Sequence, residues 1–131
     1  MTESFTFRTE VLNRYDIEIY ELFLEIFDAL PLAAEISKKY FAVHGGISPE
    51  LVNIEDINQI DRHTEIPVKG LFCDLMWADP FGDEEAITED FDFNFMRECS
   101  VFFGKRPVRK FLRENNLLCI FRGHQVQQNG F

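Results

Sequence analysis

The sequence predicts an α/β chain, helices packed on a sheet, and three observations carry that reading. Between Arg8 and Leu30, the residues Val11, Tyr15, Ile19, Leu22, Phe23, Ile26 and Phe27 recur at three- and four-residue steps, the period of one helical face. Two short apolar runs, Lys39 to Val43 and Leu117 to Phe121, have the length of buried strands. Each leads into a glycine-containing turn that carries a histidine: Val43-His44-Gly45-Gly46 in one case, Arg122-Gly123-His124 in the other. A strand end followed by glycine presents a side chain from a rigid support with little backbone crowding, a common setting for a metal ligand or proton carrier.

Taken in order, Asn13 to Asp16 breaks the helical region, with Asp16 as the cap of a longer second helix that Leu30-Pro31 ends. Leu32 to Ile36 and Lys39 to Val43 read as two strands around the polar Ser37-Lys38 turn. Asn53 can cap a short helix through Ile60, with Leu51, Ile54, Ile57 and Ile60 on one side. His63 follows in a polar setting that reads as solvated. Asp79 to Asp92 is rich in acidic residues, including Asp83, Glu84 and Glu85, but lacks the spacing and glycine of a calcium loop, and it reads as a solvated loop. Pro107 suits the first turn of a helix through Glu114, with Val108, Phe111 and Leu112 inward and Lys105, Arg106, Arg109, Lys110 and Arg113 as a solvated basic face.

Composition bounds the function. A chain of 131 residues with 46% apolar content, fifteen Phe among it, has the size and makeup of one domain with a real core. Thirteen basic residues against 23 acidic ones give a net charge of −10, which repels phosphate backbones and argues against a nucleic-acid partner. No apolar run approaches the roughly 20 residues of a spanning helix, so no membrane association is expected. Met1-Thr2-Glu3-Ser4 does not start a signal peptide. Cys73, Cys99 and Cys119 are odd in number, far apart and flanked by apolar residues, which points to buried reduced thiols in a cytoplasmic or nuclear protein.

Four blocks then occur in one order: Val43-His44-Gly45-Gly46-Ile47-Ser48-Pro49-Glu50, Cys73-Asp74-Leu75-Met76-Trp77-Ala78-Asp79-Pro80, Asn94 with Arg97, and Arg122-Gly123-His124-Gln125. In order and spacing they resemble the phosphoprotein phosphatase family of metal-dependent serine/threonine phosphatases. The runs Cys99-Ser100-Val101-Phe102-Phe103 and Asn115-Asn116-Leu117-Leu118 are most similar to its calcineurin branch. The resemblance implies that residues 1–131 are a single partial domain, the later part of the catalytic domain and one side of its metallophosphatase β-sandwich. It implies that His44 and His124 bind one metal as neutral imidazoles, that Arg97 holds phosphate, and that Trp77 and Asp79 lie beside the substrate cleft.

In that family two metal ions, an Fe/Zn pair or Mn, activate water against phosphoserine and phosphothreonine of protein substrates. The remaining ligands come from G-D-x-H-G, G-D-x-x-D-R-G and G-N-H-E motifs, none of which occurs here. At most one weak metal site is therefore expected in this chain, with no free-standing activity. By the same resemblance, a regulatory subunit and calmodulin would act through segments absent here. Gly123 stands in place of the family's alanine, Ala78 in place of a serine, and Glu98 in place of a glycine beside Arg97. The alternative is a non-catalytic relic or protein-binding module on the same fold. Because site residues match in every block, part of an active phosphatase is the favoured reading.

Overall fold

The computed structural model describes residues 1–82 and 85–128, the side chains of Glu85 and Ile87 excepted. Its contacts group into two compact units, Met1–Leu30 and Pro31–Phe131. In the first, helix α1 (Phe7–Arg14) is followed by α2 (Ile17–Ala29). The break falls where the sequence predicts it: Asp16 is extended, and its Oδ1 accepts from the Ile19 amide at 3.0 Å. Phe7 packs against Phe23 and Phe27 with ring centroids 5.3 and 5.5 Å apart, and Val11 and Tyr20 are buried. The expected single stripe is not buried throughout, since Tyr15, Leu22 and Ile26 are exposed. An eight-residue α1 is too short to cover so wide an apolar face.

The second unit starts with a hairpin. Strands β1 (Ala33–Ile36) and β2 (Tyr40–Val43) pair antiparallel, and the turn holds Ser37 and Lys38 at φ of 53° and 54°, a hand that matches strand twist. On the other side of β2 lies β6 (Cys119–Arg122), parallel, with Val43 opposite Arg122. The sheet is therefore mixed, in the order β1-β2-β6. The strand expected from Leu117 begins two residues later, because Leu117 turns into the core and its amide donates to the Leu112 carbonyl at 2.8 Å.

A second sheet, in the order β3-β5-β4, comprises β3 (Asp79–Pro80), β4 (Phe91–Phe93) and β5 (Val101–Phe103). It corrects the reading of Asp79 to Asp92 as one solvated loop: both ends of that stretch pair with β5, and α4 (Glu85–Thr88) forms a single turn between them. Strands of two or three residues carry no alternation that a sequence could reveal. Asp83 and Glu84 of that stretch lie outside the described residues.

The helices close over a shared core. The short helix after Asn53 is a 3₁₀ segment, Ile54–Gln59, in which the Asn53 amide donates to Asp56 Oδ2 at 2.8 Å. Helix α5 (Lys105–Glu114) begins two residues ahead of Pro107, and its inner face, Val108, Phe111 and Leu112, joins Phe41, Val43, Ile47, Leu75 and Phe103. Phe41 meets Phe111 edge-on at 5.3 Å. His63 is exposed, as its polar setting predicts.

Helix α3 (Leu71–Trp77) supports the loop that leaves β2. The Gly45 and Gly46 amides donate to the Leu75 and Asp74 carbonyls at 2.8 and 3.3 Å. A Cβ on Gly45 would lie 2.6 Å from the Trp77 nitrogen, so only glycine permits this approach. Inside the same turn, the buried Asp74 carboxylate accepts from Ser48 Oγ at 2.6 Å and Ser100 Oγ at 2.7 Å. Burial raises the Asp74 pKa, and the two hydroxyl bonds offset this only in part. The three cysteines are free; Cys73 is buried, whereas Cys99 and Cys119 are only half-buried, against expectation. Burial, with the Cys99 thiol beside it, pushes the Cys73 thiol up to about 12, which makes it an inert group at neutral pH.

Two outcomes follow from this packing. Leu118 and Phe121 by strand β6, and Phe95 and Met96 in the turn after β4, are each more than half exposed, so the chain should bind a hydrophobic-surface dye strongly and self-associate. A sharp, reversible melt of a dye-free monomer would contradict this. Asp74 supplies a pH signature. With its folded pKa above the unfolded one, the contribution of Asp74 to stability is greatest below the ordinary carboxylate range and declines as pH rises through the raised value. Asp74→Asn keeps a hydrogen-bonding group of the same shape without the charge, so its stability relative to wild type should grow between about pH 4 and pH 7. Urea melts across that window should show the divergence; parallel curves would exclude it.

Candidate metal and phosphate site

Parallel pairing brings the two histidines together. Because Val43 lies opposite Arg122, the residues after them leave the same end of adjacent parallel strands, where open sheets commonly hold ligands. The Gly123 amide donates to the His44 carbonyl at 3.2 Å, extending the ladder one step past both strands. There His124 Nδ1 lies 3.2 Å from His44 Nε2, with ring centroids 4.9 Å apart. His124 has a φ of 66°, a left-handed conformation that costs about 1–2 kcal/mol for such a residue and recurs at functional sites. The Trp77 ring stands edge-on to His124 at 5.5 Å.

Asp79 opens β3. It is buried, and three side chains donate to its carboxylate: Arg122 Nη2 to Oδ1 at 2.9 Å, and Arg97 Nε and Asn94 Nδ2 to Oδ2 at 2.9 and 3.1 Å. Burial alone would raise its pKa, but the bonds from Arg97 and Asn94 and the neighbouring positive charge hold it below the usual carboxylate range. Arg97 also receives support from its own turn, whose amide donates to Asn94 Oδ1 at 3.2 Å. With Nε committed to Asp79, the Nη1 and Nη2 groups of Arg97 make no hydrogen bond among the described residues, which leaves a planar fork for an oxyanion.

Arg122 and Asn94 received no role from the sequence beyond their places in the matching blocks. Arg122 also donates to the Ala78 carbonyl at 3.2 Å, to Gln125 Oε1 at 2.6 Å and to the Gly45 carbonyl, so it ties the His44 turn to β3. Only an arginine one residue past an apolar run hinted at this. Glu98 is exposed and has a φ of 57°, a conformation that suits glycine there. Its carboxylate makes no ion pair with Arg97 among the described residues.

The two imidazoles fit part of a metal's ligand set. For two nitrogens on one tetrahedral ion at about 2.0–2.1 Å, the separation is about 3.3 Å, close to that of His124 Nδ1 and His44 Nε2. Burial lowers the His124 pKa, and although Asp79 opposes this, the ring is neutral at neutral pH, the form that ligates. Its Nε2 is buried without a hydrogen-bond partner and lies 3.8 Å from Asp79 Oδ1. Ligating histidines commonly turn their second nitrogen to a carboxylate in this way. Among the described residues, no group of three or more His, Cys, Asp or Glu is placed to hold an ion, so the set stops at two.

Asp79→Ala tests this network. It leaves Arg122 and Arg97 without their anion, and breaking such a buried pair destabilises by about 3–5 kcal/mol. Asp79→Asn, which retains one acceptor, should lose less. Equal urea midpoints for wild type and Asp79→Ala would contradict the assignment of Asp79 as the anchor.

Comparison with known proteins agrees with this architecture. The family model for calcineurin-like phosphoesterases matches residues 3–128. The chain is 46% identical to serine/threonine-protein phosphatase 2B catalytic subunit A1 of Saccharomyces cerevisiae, over 100% of this chain and 25% of that protein. Against catalytic subunit A2 of the same organism, identity is 40%, over 100% of this chain and 26% of the relative. The chain thus spans about a quarter of the length of these relatives. A solved protein serine/threonine phosphatase from Saccharomyces cerevisiae, described as similar to human phosphatase PP5, superposes with a TM-score of 0.79 at 32% identity, covering 92% of this chain and 36% of that one. With its mixed α/β build and a family match over nearly its whole length, the chain belongs to the calcineurin-like phosphoesterase family.

Proposed function

We propose that this chain is part of a metal-dependent serine/threonine protein phosphatase and supplies two metal ligands and one phosphate-binding arginine to its active site. The observation that supports this most is the convergence of His44, His124 and Arg97 through Asp79, since Asp79 holds Arg97 directly and faces the second nitrogen of His124. Within the proposal, residues 1–131 form a single partial domain.

When bound, a divalent or trivalent metal centre, an Fe/Zn pair or Mn in the complete domain, supplies an activated water and neutralises phosphoryl charge. His44 Nε2 and His124 Nδ1 would hold one of its ions. The free edge of the Arg97 guanidinium binds two phosphoryl oxygens and orients the phosphorus, and Asp79 fixes the plane of that fork. Trp77 lines the site beside His124 and excludes water on that side. The substrates are phosphoserine and phosphothreonine in proteins. By the resemblance to the calcineurin branch, a regulatory subunit and calmodulin would act through other segments of such an enzyme. Three free thiols support a reducing compartment, the cytoplasm or nucleus. The site residues match in all four blocks, whereas a drifting relic is expected to lose site chemistry early, which favours the enzymatic reading.

Zinc titration of the purified chain tests the site. One weak site is expected, and either His44→Ala or His124→Ala should abolish it; binding that survives either change would refute shared ligation. The chain by itself should show no turnover of an aryl phosphate with manganese, since two neutral ligands cannot assemble the metal pair. Metal-dependent turnover lost in His44→Ala would contradict that expectation.

A further inference from the structure

Helix α5 gathers Lys105, Arg106, Arg109, Lys110 and Arg113 on an exposed face of a chain whose net charge is −10. That placement works against the helix. Lys105 and Arg109, Arg106 and Lys110, and Arg109 and Arg113 are like-charged neighbours four residues apart, each pair repulsive. Lys105 and Arg106 also sit at the positive end of the helix dipole, and the first turn contains no acid. Among the described residues Arg106 is compensated, by Asp90 Oδ1 at 2.8 Å and the Thr88 carbonyl at 3.1 Å. No ion pair or hydrogen bond among those residues engages the side chains of Lys105, Arg109, Lys110 or Arg113. Among the described residues, then, one of the five cations on this face has an acidic partner.

Two grooves flank the cations. One, of about 320 Å³, is walled by Phe81, Phe103 and Val108, with Lys105 and Arg109 at its margin. The other, of about 410 Å³, sets Phe91 and Pro107 beside Arg109, Lys110 and Arg113. A local choice that destabilises its own element, next to open apolar surface, is the pattern of a surface shaped for a partner.

We propose that this face of α5 docks an acidic peptide segment of a protein partner, with an apolar side chain seated against Phe81 and Phe103 and carboxylates paired with Lys105, Arg109 and Arg113. Charge selects the class of partner. The ten residues of α5 extend about 15 Å, the reach of about five residues of extended peptide. A longer polyanion, such as nucleic acid or an anionic membrane, would run onto the acidic remainder of the chain and be repelled there. None of these residues contributes to the His44, His124 and Arg97 site, so the docking surface stands or fails independently of catalysis.

Fluorescence anisotropy with the full chain tests this, using a dye-labelled peptide of one Phe followed by Glu and Asp. Salt-sensitive binding is expected, weakened about ten-fold or more by Arg109→Glu with Arg113→Glu. A peptide with Ser in place of Phe should also bind more weakly. If circular dichroism shows that the doubly reversed variant loses helix, Arg109→Gln with Arg113→Gln decides in its place, with a smaller loss expected. No binding to the unaltered chain, equal binding by the variants, or tighter binding of phosphatidylserine vesicles or a single-stranded oligonucleotide than of the peptide would overturn the proposal.

Discussion

A single buried carboxylate holds the site residues in register. Asp79 ends on a strand of the second sheet, yet its donors come from elsewhere: Arg122 from the end of the first sheet, Asn94 and Arg97 from the turn after β4. Each donor would be a costly group to bury without an acceptor, and the two oxygens of Asp79 serve all three. Remove the anion and two guanidinium groups at 17% and 30% side-chain exposure face each other across the turn with no counter-charge. The geometry of His44 and His124 depends on the same group, since Arg122 reaches both Asp79 and the backbone of the His44 turn.

The strand pairing and this ion cluster divide the work. Parallel registry of Val43 with Arg122 sets the two imidazoles side by side, and the glycines after His44 let its loop lie on α3. Asp74, with its two serine hydroxyls, fills the space inside that loop and secures it from below. The cluster then aims the charged groups. Neither arrangement suffices by itself: a register shift of one residue would turn the His44 side chain to the other face, and loss of Asp79 would release Arg97.

Much of this was legible in the residues. The glycine turns at the ends of two apolar runs singled out His44 and His124, and the helix break at Asp16 was readable because a capping acid stood at the right place. Arg97 was visible through its resemblance block alone, since nothing local marks a phosphate-binding arginine. The role of Asp79 was hidden: it stands at the head of an acid-rich stretch of sequence, and only tertiary structure brings donors 15, 18 and 43 residues away onto it. The second sheet was hidden for a different reason, as β3, β4 and β5 are too short for a period-two pattern, and the strand before Arg122 was misplaced because Leu117 is apolar for the core rather than for the sheet.

In the proposed site, the strand register and Asp79 present two imidazole nitrogens, His124 Nδ1 and His44 Nε2, to one ion. Nitrogen-15 NMR of the imidazole rings during zinc addition reads this most directly. These two resonances should shift together, while His124 Nε2 keeps its proton toward Asp79. A shift confined to one ring, or binding through His124 Nε2, would contradict the shared site.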